Sequence, residues 1–173
     1  MTQRSASPAQ FVIERTYAAP VQRVFAAWAE PREKARWFGG PPESYHVLRR
    51  EQDFRVGGRE HLSGTFPGGR EIDRRVAGTA PEGGVTTAFD ATYHDIVPGE
   101  RIVYAYTMHL GGVLISVSLA TVQFRPEAGG TRMTYTEQAV FLDGHDTPRS
   151  RENGTRGLFD RLDAALADEP VAA

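Results

Sequence analysis

Apolar residues along this chain switch between two periods, and each switch marks a change of element. From Gln10 to Ala18 they take alternate positions (Phe11, Ile13, Tyr17), the period of a strand. Val21, Val24, Phe25 and Trp28 then fall at i, i+3, i+4 and i+7, one face of a helix. Pro20 suits a first helical position, where its missing N–H would have no partner. Pro31 starts a second short helix that Trp37-Phe38 end, just before Gly39-Gly40. Strand-like sequence returns at Tyr45 to Glu51, breaks at Val56-Gly57-Gly58, where paired glycines signal a bulge or tight turn, and resumes from Arg59 to Phe66. Residues 67–84 are rich in Gly, Pro and charge. They predict a long loop or loose hairpin with a short strand at Ile72 to Gly78, and a loop of that length inside a compact domain is often functional.

From Val85 the pattern is plainly β. Strands are predicted at Thr86 to Val97, Arg101 to Leu110, Val113 to Arg125 and Thr131 to Leu142, joined by short Gly-rich turns as in an antiparallel meander. A last helix runs from Pro148 to Ala167, with Thr147 as its cap and an apolar stripe at Leu158, Phe159, Leu162, Ala165 and Leu166. Twenty residues at about 1.5 Å each make it about 30 Å long. Gly154 and Gly157 inside it each cost about 1 kcal/mol relative to alanine. Close packing against the sheet, or room left for a ligand, would offset that. The expected fold is α+β: a curved antiparallel sheet wrapped around a long C-terminal helix, with two short helices after the first strand. A sheet curved that strongly rarely closes on the helix at every level, so a cavity between them is expected. Residues 1–9 are read as a disordered tail, 10–168 as one domain and 169–173 as a C-terminal tail.

Composition narrows the function. At 173 residues with 40% hydrophobic and 24% charged, the chain suits a single domain with a real core. A net charge of −2 argues against nucleic acid as a partner, and Arg149, Arg151 and Arg156 read as a solvated helix face. With no cysteine, disulfides and thiolate chemistry are excluded. No apolar run approaches the roughly 20 residues that span a bilayer, and the first residues lack the apolar core of a secretory signal. A cytoplasmic protein with no membrane partner is expected. His46, His61, His94, His109 and His145 show no short ligand spacing, though His61, His94 and His109 lie on different strands. No P-loop, dinucleotide fingerprint or nucleophile elbow is present, so neither a metal nor a cofactor is called for.

A set of short motifs in a fixed order resembles the START-like, helix-grip superfamily (SRPBCC). Within it, the chain is most similar to the branch of the activator of the heat-shock-protein-90 ATPase. The matching residues are Ala19-Pro20, Val24-Phe25, Trp28, Pro31, Trp37-Phe38, Phe54 to Gly58, Tyr93 to Tyr104, Gly130 to Tyr135 and the terminal LFDRLDAAL, over roughly residues 10–168. The resemblance implies the helix-grip fold and a cavity for a hydrophobic or amphipathic small molecule. It also implies that pairing into a homodimer through exposed sheet or helix surface is open to the chain. It does not imply a shared chemistry. Two departures fall near the expected cavity: Thr155 follows Gly154 where relatives usually carry an aromatic residue, and the 67–84 loop is longer than usual.

Strand alternation nominates the lining. Met133, Tyr135 and Glu137 share one face, and Glu137 among apolar neighbours could hydrogen-bond a ligand hydroxyl or exchange a proton with it. Ile102, Tyr104, Tyr106 and Met108 share another, where the tyrosines offer flat apolar walls with polar tips. Ser116 and Ser118 continue an apolar row, and Phe89 and Tyr93 alternate nearby. Trp28, Trp37 and Phe38 fill core or cavity mouth, and Gly154 and Leu158 face them from the last helix. No catalytic residue is assigned. Binding of a lipid, polyketide or aromatic metabolite is favoured over a cyclase or hydratase, because Glu137 has no histidine partner on its face. A co-chaperone-like interaction module is the third reading and the weakest, for one isolated domain.

Overall fold

In the computed structural model, residues 4–66 and 84–168 are described. The elements run β1 (Ala6–Tyr17), α1 (Val21–Ala29), α2 (Pro31–Lys34), β2 (His46–Gln52), β3 (Arg59–Phe66), β4 (Val85–Val97), β5 (Arg101–Leu110), β6 (Val113–Glu127), β7 (Gly130–Leu142) and α3 (Pro148–Ala167). The strands form one antiparallel sheet, in the order β1-β7-β6-β5-β4-β3-β2 among the described residues. From β2 to β7 each strand pairs antiparallel with the next. β1 closes onto β7 from the opposite end of the chain, with Ala6 opposite Leu142 and Tyr17 opposite Thr131. The fold is the α+β arrangement expected, with α1, α2 and α3 on the concave side.

Four local readings are corrected. β1 begins at Ala6 rather than Gln10, so residues 6–9 are strand and not tail. Pairing with β7 and the Ser5–Asp143 hydrogen bonds hold a stretch whose own sequence carries no apolar alternation. Pro20 is the cap of α1 and not its first residue: it is extended, and its carbonyl accepts from Arg23 and Val24. α2 is a single turn ending at Lys34, and Trp37-Phe38 follow in tighter turns that lead to Gly39, whose φ of 139° a side chain would strain. Arg151 is not on a solvated face, as described below. The reading of a strand at Ile72 to Gly78, like the C-terminal tail, lies outside the described residues. No helix among the described residues is long and apolar enough to cross a membrane.

The core follows the alternation. Ile13, Tyr17, Ile102, Val122, Phe124 and Met133 from the sheet meet Val24 and Trp28 of α1 and Phe159 and Leu162 of α3. Burial of such side chains is worth about 1.5–3 kcal/mol each. α3 starts as its sequence directs, the Thr147 hydroxyl accepting from the Ser150 N–H at 3.1 Å. Arg15 of β1 then ties it down through Asp160 at 2.7 Å.

Candidate functional site

A cavity of about 440 Å³ lies between the sheet and α3, within the range of small-molecule sites. Its floor is aromatic. The Trp28 and Trp37 rings pack 4.8 Å apart, Phe38 and Phe89 5.0 Å, Phe89 and Tyr106 4.9 Å, and Tyr135 and Phe159 5.3 Å. The Trp37 indole is anchored by a 2.8 Å bond to the Ala27 carbonyl. The partly exposed lining residues mark the rim: Gly39, Gly40 and Pro41 on one side, Gly154, Gly157, Leu158 and Arg161 of α3 on the other.

Of the nominated residues, Trp28, Trp37, Phe38, Phe89, Tyr104, Tyr106, Met108, Tyr135, Gly154 and Leu158 lie on the cavity wall. Tyr93, Ser118, Met133 and Glu137 lie behind it. Met133 is fully buried in the core, Tyr93 belongs to a separate charged cluster, and Ser118 and Glu137 form the polar backing of the inner wall.

That backing is built around Glu137, whose side chain is wholly buried. Its Oε1 accepts from the Tyr106 hydroxyl at 2.6 Å, Ser118 at 2.8 Å and Arg151 Nη1 at 3.2 Å, while Oε2 accepts from Tyr135 at 2.7 Å. Arg151 also donates to Ser116 at 2.7 Å and Asp146 at 2.9 Å. Burial pushes the phenols of Tyr104, Tyr106 and Tyr135 well up, so they stay protonated and act as donors. Burial alone would lower the Arg151 pKa, but Tyr106, Glu137 and Asp146 outweigh it and raise it. Tyr106, Tyr135 and Arg151 line the cavity, so a guest feels Glu137 through them.

A second cluster sits beneath the aromatic floor. Lys34 Nζ lies 2.6 Å from Glu60, which also accepts from the Tyr93 hydroxyl, and Gln52 braces that hydroxyl at 3.0 Å. The Phe38 ring lies 4.6 Å from the ammonium and the Trp28 ring 5.4 Å. Burial lowers the Lys34 pKa, and Glu60 opposes that shift.

Sequence reasoning missed Arg151, Lys34, Glu60, Tyr45 and Arg161. Arg151 stands four residues before Thr155 and eight before Phe159, on the inward stripe, and that spacing was the signal. Glu60 alternates with Leu62 on the buried face of β3. Tyr45 reaches the cavity because Gly40 and Gly64 leave it space; a Cβ at either would collide with its ring. A Cβ at Gly154 would meet nothing, so close packing does not explain that glycine. Thr155 lines the cavity, and an aromatic ring in its place would occupy part of it. Among the described residues, no group of three or more His, Cys, Asp or Glu is arranged to hold a metal; His61 instead contacts Asp90 at 2.6 Å.

The family described as activator of Hsp90 ATPase homolog 1-like protein matches residues 18–167. An uncharacterised protein from Rhizobium leguminosarum is 43% identical, with a TM-score of 0.82, over 97% of this chain and 100% of its own. The protein Mll3558 from Rhizobium loti is 38% identical, with a TM-score of 0.76, over 93% and 99%. CV1439 from Chromobacterium violaceum is 25% identical, with a TM-score of 0.69, over 92% and 98%. No curated protein matches the chain.

Proposed function

The chain belongs to the family of activator of Hsp90 ATPase homolog 1-like proteins, and from that premise we propose that it is a cytoplasmic binding protein for a hydrophobic or amphipathic small molecule. The observation that carries this reading is the ring-floored cavity of about 440 Å³ with a buried, hydrogen-bonded carboxylate behind its inner wall. Rings supply apolar area to a flat guest, and the Tyr106 and Tyr135 oxygens offer it acceptors backed by a buried charge. Lipids, polyketides and aromatic metabolites share the chemistry this wall would recognise.

Binding is favoured over catalysis for a geometric reason. A general base needs a lone pair aimed at its substrate. Oε1 of Glu137 takes three protein donors and Oε2 one, and the side chain does not reach the cavity, so neither oxygen is aimed at a guest. The cyclase or hydratase reading keeps one point in its favour: two phenols on the wall are coupled to one carboxylate and could pass a proton along it. The family description brings in the co-chaperone reading; no feature of the cavity favours it. Pairing of two copies belongs to the same proposal, with Val12, Val117 and Leu119 exposed on the outer sheet face.

Native mass spectrometry of protein purified from its own cells tests the binding reading. A bound small molecule is expected, and it should be lost from a Thr155→Phe variant that still melts cooperatively. A protein that carries nothing and gains no thermal stability from any apolar compound overturns it.

A further inference from the structure

The charges around the cavity are unevenly placed, and the imbalance bears on its guest. At the inner wall, Arg151 is paired with Glu137 and Asp146. Two arginines flank the segment after α2, Arg161 on the cavity lining and Arg50 just outside it. Arg161 lines the cavity and donates from Nε to the Trp37 carbonyl at 3.3 Å and from Nη2 to the Gly39 carbonyl. Arg50 donates from Nη2 to the Phe38 carbonyl at 2.7 Å, and the same nitrogen lies 3.2 Å from where a Gly39 Cβ would stand. Both guanidiniums therefore converge on the Phe38–Gly39 edge.

Neither forms an ion pair among the described residues. Among the described residues, the acids that act on them are engaged elsewhere or exposed. Glu60 serves Lys34, Asp160 serves Arg15, and Glu43 is exposed and acts on Arg161 only through space. Two of the five N–H donors of Arg161 and one of the five of Arg50 are used on those carbonyls. Both groups are partly stripped of water, and burial lowers both pKa values. Planar guanidiniums with donors to spare, partly desolvated and in no ion pair among the described residues, suit an oxyanion.

Resting on the binding reading above, we infer that the guest is an amphipathic anion. Its apolar body lies on the aromatic floor, and its acidic head (carboxylate, sulfonate or phosphate) sits at the rim against Arg161 and Arg50. At Gly154 a Cβ would meet nothing among the described residues, so that side of the rim is open there, which suits a head that stays partly in water.

Two fluorescent probes that share one ring system separate the head from the body: anilinonaphthalene sulfonate carries an acid, and phenylnaphthylamine does not. The protein should bind both, and the sulfonate more tightly. Arg161→Gln should weaken the sulfonate by about tenfold to a hundredfold, the range for hydrogen bonds to a charged group, and leave the neutral probe within about twofold. Arg50→Gln should act in the same direction. Arg161→Lys, which keeps the charge and loses the fork, should fall between wild type and Arg161→Gln. Thermal melts and the neutral probe report that each variant is folded. Equal affinity for both probes, or equal loss of both in Arg161→Gln, overturns the anionic head and leaves the cavity reading standing. Failure of the wild-type protein to bind either probe overturns both.

Discussion

Glu60 and Glu137 are both buried carboxylates, 4% and 0% exposed, yet the fold neutralises them by different means. Glu60 meets a point charge: Lys34, from a single turn of helix, beneath the rings of Phe38 and Trp28. Neither partner reaches the cavity wall, and the pair ties α2 to the sheet. Glu137 is held mainly by hydroxyls, and its one cation is shared with Asp146. Three of its donors stand on the wall. The first cluster therefore supports the fold, and the second couples the fold to whatever occupies the cavity.

Alkaline pH should strain both clusters and give the largest effect. Burial raises the Tyr93 pKa in one cluster and those of Tyr106 and Tyr135 in the other, and also those of Tyr17, Tyr45 and Tyr104. A raised folded pKa means that stability is complete below the unfolded value of 10.0 and is lost as pH climbs beyond it. Each tyrosine contributes up to about 1.4 kcal/mol per pH unit. Lys34 acts in the opposite sense. Its folded pKa lies below 10.5, so it gains stability as pH approaches that value. Six phenols outweigh one amine, and urea midpoints should fall steeply above pH 10. Tyr93→Phe and Tyr135→Phe should each flatten the fall, and an unchanged slope in both would refute this account.

Next in size is the loss of Lys34. Lys34→Met strands Glu60 in the interior and should cost about 3–5 kcal/mol. Adding Glu60→Leu should restore most of it, since a buried pair replaced by apolar groups is often neutral. Chemical denaturation reads both. A single variant within about 1 kcal/mol of wild type would show that water reaches the pair.

Glu137→Gln should cost less, about 1–3 kcal/mol, because Arg151 keeps Asp146 and the hydroxyls keep an acceptor. Unlike Lys34→Met, it should also change the affinity of a cavity probe. Stability loss with unaltered probe binding would erase the distinction between the clusters. Gly154→Ala is the smallest change and touches neither cluster. It should stabilise α3 by about 1 kcal/mol, since a Cβ there meets nothing.

Much of the architecture was legible because it is local. Alternation identified β4 to β7 to within two residues at either end, the cap and stripe of α3 were readable, and the same alternation selected Tyr104, Tyr106 and Tyr135 as one inward set. A strand's period is two, so one residue's face determines its neighbours'. The single-turn α2 and the early start of β1 were harder. Both depend on partners far along the chain: β7 for the first residues of β1, and Glu60, 26 residues away, for Lys34.

By itself the sequence determined the order of the elements, the face each presents inward and the presence of a carboxylate among tyrosines. Only the tertiary structure decided that Arg151 turns inward to that carboxylate, that Lys34 finds Glu60, and that Arg50 and Arg161 both reach the carbonyls of the Trp37–Gly39 segment. The reason is range. Periodicity is written within about seven residues, whereas a buried charge is settled by groups brought together across the whole chain, where low dielectric makes each pairing count.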